Sequence, residues 1–316
     1  MLEITRQDFN TRLEKTDPVV SSIAKIILTR YRDIMTRAHI MGQNNKLESL
    51  EKEFVNKTDA IETITIANEF REVIDNDELD LHYQPIIDLK TNKTVGFEAL
   101  MRWTHAEKGN ISPNIFIPIA EESNLIVKAS RWALRRSCRV LRKIMDETGQ
   151  DLFMSINFSS ADFSEADFFE FTSNTLKAEN IAPEHIHLEI TERLLMDQPK
   201  KAKETLQRCR DAGIAISIDD FGTGYSSLSY LHHFPINILK IDQAFIKDMS
   251  SDKAVLELVK SIISLGKNLG MEIIAEGIEQ PEEAKILKKL GCDKAQGYHF
   301  ARPMPENDIV GFIQNQ

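Results

Sequence analysis

From Leu81 onward the chain alternates short apolar runs with longer amphipathic stretches. The apolar runs predict strands at Leu81–Ile87, Val95–Met101, Phe153–Asn157, His185–Thr191, Ile214–Asp219, Ile236–Ile241, Met271–Ala275 and Ala295–His299. Between them, helical periodicity predicts Lys128–Asp146, Ala161–Leu176, Pro199–Ala212, Lys253–Leu269 and Glu282–Leu290. Regular strand–helix alternation over this length implies an α/β fold with a parallel sheet, and closure into an eight-strand TIM-type (β/α)8 barrel is the economical solution. An open doubly wound sheet is the alternative. Against it, no glycine-rich dinucleotide turn follows an early strand.

The chain before about residue 75 has a different texture. It has few glycines or prolines and no β-branched alternation, so it is expected to be helical. The division expected is a helical segment over residues 1–65 and a barrel over 66–316. Val20, Ala24, Ile27, Tyr31, Ile34, Ala38 and Met41 alternate spacings of four and three, a heptad seam that buries against a partner helix. The stripe either joins a second copy in a homodimer or folds back onto its own chain. Asp17 followed by Pro18 suits a helix start, and a second helical pattern runs from about Leu47 to Ile74.

The 316 residues are 42% hydrophobic and 28% charged, which supplies a full core and excludes a disordered or collagen-like chain. The longest apolar stretches, such as Ile23–Leu28 and Ile115–Ala120, fall short of the roughly 18–20 residues of a spanning helix. The N-terminus lacks the basic start and apolar run of a secretory signal, and a cytoplasmic protein with no membrane segment is expected. Cys138, Cys209 and Cys292 are far apart, with no ligand spacing, and read as buried small hydrophobes. A net charge of -10 argues against a protein that wraps duplex nucleic acid, because that affinity comes largely from basic side chains.

Against this apolar background, several polar residues stand in or at the ends of the strand candidates, where a barrel displays its active site. Glu98 lies in VGFEALMRW, Asn157 closes LFMSINF and Glu189 lies in HIHLEIT. Asp219 and Asp220 close AISIDD, Lys240 lies in INILKID and Glu276 closes MEIIAEG. Acids from four strands converging on one mouth repel one another unless hard cations neutralise them. An oxygen-rich set without Cys or organised His favours magnesium or manganese. Adjacent Asp219 and Asp220 reach one centre only at a strand end, which suggests two ions and hence in-line displacement at phosphorus: phosphodiester hydrolysis. Lys240 positions the water, offsets charge, or forms a buried ion pair with Asp242; Glu276 is placed to take the proton of the attacking water.

Over about residues 66–316 these segments resemble the EAL family of cyclic di-GMP phosphodiesterases. The resemblance rests on Tyr83-Gln-Pro-Ile86, Glu98-Ala-Leu100 with Arg102-Trp103, PNIFIPIAEESNLI from Pro113, and Asn157 in SINFS. It continues through Glu189 and Glu192 in LEITE, DDFGTGYSSL from Asp219, Lys240 to Asp242 in LKID, and Ala275-Glu-Gly277 with Glu279. Gln296-Gly-Tyr298 and Arg302-Pro-Met-Pro305 complete it. The resemblance implies a modified barrel with one strand reversed. It also implies Mg2+ or Mn2+ as two ions held by Glu98, Asn157, Glu189, Asp219 and Asp220, with inhibition by Ca2+. Glu276 supports the metals or acts as base, and Lys240 and Gln296 hold the water. Arg102 clasps a phosphate, and Gln84, the Leu100 backbone, Asp242 and Glu279 meet the dinucleotide. Glu192 anchors the loop Phe221–Ser227, a region the family uses for dimerisation. Every catalytic position is filled, and no GGDEF or GGEEF cyclase signature occurs, so hydrolysis of cyclic di-GMP to linear pGpG is expected. The stretch ITRQDFNTRLEKTDPVVSSIAKIILTRYRDI is similar to the last strand and C-terminal helix of cyclic-nucleotide-binding domains. No β-roll or phosphate cassette accompanies it, so cyclic AMP binding is not expected of this chain.

Overall fold

The computed structural model describes residues 57–197, 199–221 and 233–316, and within these the side chains of 57–62, 196, 197 and 220 are not described. The seam Val20–Met41 and the loop beyond Phe221 lie outside the described residues. Those described fall into two compact units, one of residues 57–79 with Thr104–Lys128 and one of Asp80–Trp103 with Ala129–Gln316.

In the first unit the helix Lys57–Asp75 runs unbroken across position 65. Ile66, Ala67, Phe70 and Ile74 repeat at helical spacing and are buried, with the Phe70 and Phe116 ring centroids 5.1 Å apart. Phe116 stands on the helix Pro113–Glu122, which opens with Ser112 as cap and Pro113 in the first turn, where a missing N–H costs nothing. Lys108 Nζ meets Glu69 Oε2 at 2.8 Å in the same unit.

The second unit is the barrel. Its strands are β1 (Asp80–Asp88), β2 (Lys93–His105), β4 (Phe153–Phe158), β5 (Ile186–Thr191), β6 (Ala215–Phe221), β7 (Ile238–Ile241), β8 (Glu272–Ala275) and β9 (Lys294–Ala295). A short strand, β10 (Met304–Pro305), pairs with β1, and the short strand β3 (Gly109–Ile111) belongs to the first unit. From β2 through β9 neighbouring strands pair in parallel, and β1 closes the cylinder by pairing antiparallel with both β2 and β9. The barrel and the single reversed strand therefore match the expectation.

Alternation along each strand separates its two faces. Met154, Ile156, Leu188, Ile190, Ile216, Ile218, Leu239, Ile241 and Ile273 are buried on one side. The helix Ile126–Thr148 buries Ala133, Leu134, Val140, Leu141 and Ile144. On the lumen side Ile86, Phe153, Ile238 and Ile274 form an apolar plug, with Val95 and Ala215 packed against it. All three cysteines are free and buried, and burial pushes each thiol up to about 12, so they pack as hydrophobes.

Several elements depart from the sequence reading. The expected strand Ala295–His299 stops at Ala295, because the backbone turns at once: Phe300 N and Ala301 N donate to Gly297 O. The expected helix Ala161–Leu176 is two helices, Ser160–Ser164 and Phe168–Ala178, split at Glu165, whose extended backbone ends the first. Strand β6 continues to Phe221, so Asp219 and Asp220 lie within it and do not close it. Its register with β7 shifts between Ile218 and Phe221, and this irregularity marks the two acids. The helix Pro113–Glu122, the C-terminal helix Glu306–Gln314 and strands β3 and β10 were not anticipated.

Candidate active site

Lys240 is the centre of the site. It is fully buried on β7, where a cation is tolerated only if anions surround it. Its Nζ lies 2.6 Å from Glu276 Oε1, 2.8 Å from Glu189 Oε2, 3.2 Å from Asp219 Oδ1 and 3.5 Å from Glu98 Oε2. Burial alone would lower its pKa, yet Asp219, Glu189, Glu276 and Glu98 together hold it well above the ordinary lysine value. The alternative of an ion pair with Asp242 is therefore wrong. Asp242 instead caps the helix Gln243–Asp248, accepting from Ala244 N at 2.8 Å.

Strand register brings these groups to one level. Glu98 stands opposite Ser155, and Asn157 opposite Glu189, on neighbouring parallel strands. Asn157 Nδ2 donates to Glu98 Oε1 at 2.8 Å, and Ser155 Oγ to Glu189 Oε1 at 2.6 Å. Gln296, just past β9, donates from Nε2 to Glu98 Oε2 at 2.6 Å and to Glu276 Oε1 at 3.2 Å. Its backbone N–H is fixed by Ala275 O at 2.8 Å, and Glu276 N by Ile241 O at 3.0 Å.

One ammonium cannot balance four carboxylates, and their proton affinities show it. Burial pushes Glu276 up to about 8, with Lys240 opposing and Asp219 and Glu98 adding to the rise. Burial and the charge of Glu98 drive Glu189 well above the carboxylate range. Glu98 goes the other way, since Lys240 and the donors Gln296 and Asn157 outweigh its burial and hold it below its ordinary value. Two buried acceptors, Asp219 Oδ1 and Gln296 Oε1, have no hydrogen-bond partner among the described residues. Asp219 Oδ1 has only its ion contact with Lys240.

These facts test the expected metals. Surplus buried negative charge, oxygen donors throughout and unpartnered acceptors fit hard divalent cations. The acids close on Lys240 Nζ, and among the described residues no three Asp, Glu, His or Cys side chains already surround a common ion position. The backbone of Asp220 adjoins the cluster in β6.

Above the cluster a cavity of about 240 Å³ opens to solvent, lined in part by Gln84, Glu98, Leu100, Asp219, Glu276 and Glu279. Of the residues expected to meet a dinucleotide, Gln84, Leu100 and Glu279 thus line the cavity, whereas Arg102 and Asp242 are absent from its wall. Arg102 is half-buried, and its Nη1 donates to its neighbour's carbonyl, Met101 O, at 2.8 Å. Glu192 begins the helix Glu192–Asp197 after β5; the loop it was expected to anchor lies outside the described residues.

Sequence reasoning missed three contributors. Ser155 holds Glu189, and only the strict alternation of β4 could have placed it in the lumen. Gln243 lines the cavity and packs against Gly277, where the φ of +66° and the 2.3 Å at which a Cβ would fall from Gln243 Cβ exclude a side chain. Glu283 is buried and accepts from Glu279 N at 2.8 Å and Gln280 N at 3.0 Å, fixing the segment that carries Glu276 and Glu279.

Comparison with known proteins gives the same answer. The EAL domain family matches residues 67–303. MucR of Pseudomonas aeruginosa, a bifunctional diguanylate cyclase/cyclic di-GMP phosphodiesterase, is 36% identical over 80% of this chain and 37% of its own length. The cyclic di-GMP phosphodiesterase NbdA of the same organism is 35% identical over 81% of this chain and 33% of its length. The chain thus spans about a third of these relatives. Among solved structures, the EAL enzyme Bd1971 with cAMP and cyclic di-GMP bound aligns with a TM-score of 0.77 at 36% identity, over 98% of this chain and 80% of that one. The MucR phosphodiesterase in complex with cyclic di-GMP aligns with a TM-score of 0.74 at 36% identity, over 78% and 99%. By fold, by the order of its motifs and by these relatives, the chain belongs to the EAL domain family.

Proposed function

We propose that the chain hydrolyses cyclic di-GMP to linear pGpG with two magnesium or manganese ions, lowering the level of the messenger. The observation that carries this reading is the buried cluster in which Glu98, Glu189, Asp219 and Glu276 share one lysine and leave acceptors unpartnered. Glu98, Asn157, Glu189, Asp219 and Asp220 would hold the ions. When bound, the ions supply positive charge to the scissile phosphate and to the attacking water.

The chain's own groups do the rest. Glu276, pushed up to about 8 by burial, is a carboxylate whose proton affinity suits a general base near neutrality. Its Oε1 is shared by Lys240 Nζ and Gln296 Nε2, so both donors point at the place where a water's proton would be accepted. Arg102 would swing from Met101 O to a phosphate oxygen, a contact its planar guanidinium makes well. Gln84, the Leu100 backbone and Glu279 would hold the nucleotide from the cavity wall, with Asp242 behind them at the helix start.

The test is product analysis. Cyclic di-GMP incubated with the protein and magnesium should yield pGpG, and Glu276→Gln should lower turnover by about 10²–10⁴-fold while nucleotide binding persists. Binding without any product would mark the chain as a receptor and reject hydrolysis. Near-normal turnover by the variant would remove Glu276 from the chemical step.

A further inference from the structure

Among the described side chains that donate to the carboxylate cluster, Ser155 alone has no part in the chemistry just described. It is absent from the cavity wall, and its Oγ donates to Glu189 Oε1 at 2.6 Å. The strand β4 that carries it lies between β2 and β5 and serves an acid on each. Asn157 reaches Glu98 on β2, and Ser155 reaches Glu189 on β5. Met154 and Ile156 are buried on the other face of β4 and both neighbouring strands pair with it, so the backbone under the hydroxyl is fixed from three sides. Ser155 is 1% exposed and Glu189 0%, so solvent does not reach the bond to replace a missing donor. Removal of the single oxygen atom leaves too little space for a water molecule.

Glu189 is gripped at both oxygens, and the two grips differ. Its Oε2 lies 2.8 Å from Lys240 Nζ, an ammonium that Glu98, Asp219 and Glu276 also share. Lys240 can therefore give up Glu189 and still be surrounded by anions. Oε1 has the Ser155 hydroxyl, a neutral donor dedicated to it. An ammonium and a divalent cation repel each other across a buried site, whereas a hydroxyl carries no net charge to oppose either. The oxygen that can turn away is thus Oε2, with the carboxylate swinging about Oε1.

We propose that Ser155 is a positioning residue for cation loading: it keeps hold of Glu189 Oε1 as a pivot while Oε2 leaves Lys240 to serve a divalent cation. This rests on the reading of the cluster as the cation site. Carboxylates that bind metals are themselves aimed by hydrogen bonds of this kind, and loss of such a partner costs about 10- to 100-fold in metal affinity or activity. Because Ser155 lies outside the cavity wall, its loss acts on the cations and leaves KM for the nucleotide nearly unchanged.

The experiment is a titration of the full chain with manganese alone, without nucleotide, in which free ion is followed by electron paramagnetic resonance; steady-state kinetics in manganese accompany it. Ser155→Ala should bind manganese about 10- to 100-fold more weakly, and should need correspondingly more of it for half-maximal turnover. Its KM for cyclic di-GMP at saturating manganese should stay within about twofold of the parent. Ser155→Thr keeps the hydroxyl and should bind manganese within about threefold of the parent. Ser217→Ala is the control. Ser217 is buried opposite Glu189 on β6, and its Oγ has no hydrogen-bond partner among the described residues, so its removal should leave manganese affinity nearly unchanged. Ser155→Ala with the parent's affinity overturns the proposal, and so does an equal loss in Ser217→Ala, which would mark packing of the floor and not a grip on Glu189. A threonine variant that melts like the parent yet binds as weakly as Ser155→Ala overturns it too. Where the extra methyl group unfolds the chain, the contrast between the two alanine variants decides. Failure of the parent chain itself to take up manganese would reject the cation reading together with this one, and is read before any variant.

Discussion

The two ends of the barrel lumen bury charge in opposite ways. At the end where the parallel strands begin, Lys294 meets one acid, Glu272, at 2.7 Å and lies 4.5 Å from the centre of the Phe153 ring. Phe153 in turn stacks on His187, centroids 3.9 Å apart and 16° from parallel. One cation has one anion, and the histidine is held neutral, its pKa lowered by burial and then by Lys294 to about 3. At the end where the strands finish, one cation faces four acids. The first arrangement is complete without a ligand; the second is stable only by protonation or by binding cations. Between them stands the apolar plug of Ile86, Phe153, Ile238 and Ile274. That difference, more than any single residue, marks which end binds.

The largest effect should follow from removing the cation of the overcharged end. Lys240→Met leaves Glu98, Glu189, Asp219 and Glu276 facing one another in a buried site, at a cost on the order of 3–5 kcal/mol. Thermal melts should show the variant strongly destabilised in chelator and partly restored by magnesium, with turnover lost in both. A variant as stable as the parent in chelator would mean the acids are already neutral without Lys240.

At the other end the expected effect is one of pH. His187 is neutral in the fold, whereas the unfolded chain takes up a proton below its ordinary pKa of 6.5. Its neutrality therefore contributes full stability above pH 6.5, lost progressively as pH falls towards 3, and amounting to about 3 kcal/mol at pH 4. Urea midpoints at pH 7 and pH 4 should separate far less in His187→Gln than in the parent. Equal separations would place the acid sensitivity elsewhere.

Cations should distinguish the ends too. At a concentration about a hundredfold above the dissociation constant, magnesium should add roughly 3 kcal/mol to stability. Calcium should stabilise as well but give no product, because it is larger and tolerates irregular coordination. His187→Gln should leave this response unchanged, whereas Asp219→Asn should weaken it. Equal product in calcium and magnesium would contradict a compact two-metal geometry.

The upper end was far more legible in the sequence than the lower. Glu98, Glu189, Asp219 and Lys240 are polar interruptions of apolar strands, and burial of such groups needs a reason visible in one dimension. His187, Lys294 and Glu272 carry no such signal, since each stands near a strand start where polar residues are ordinary. The strand after β8 was drawn too long because Ala295–His299 has strand composition, while the turn that ends it depends on Gly297 meeting Ile278, a contact between distant residues. The β6–β7 irregularity at Asp219 and Asp220 was likewise hidden, because register is set by the neighbouring strand and not by the strand's own pattern. Pairing of Lys240 with Asp242 looked plausible from adjacency alone, but alternate strand positions share a face while Asp242 has already left β7 to cap a helix.

The smallest expected effect concerns how the overcharged end is held. Glu283 is buried on the helix Pro281–Leu290 and accepts from the backbone of both Glu279 and Gln280. As a helix cap alone its truncation costs about 1 kcal/mol. It also pins the segment from Glu276 to Glu279, whose far end is fixed by Glu276 N on Ile241 O and whose middle is wedged between Gln243 and Gly297. Freed at Glu279, the segment loses the register that aims one carboxylate at the cavity floor and another at its wall. Glu283→Ala should therefore lower kcat and raise KM for cyclic di-GMP each by a few fold, on the order of 1 kcal/mol of transition-state stabilisation in addition to the lost stability. Glu283→Gln keeps an acceptor oxygen for the same two donors and should recover most of both constants. Kinetics measured well below the melting temperature separate the roles. A variant that melts earlier but turns over normally would reduce Glu283 to a cap, whereas loss of activity with rescue by glutamine would make it a positioning residue for the site.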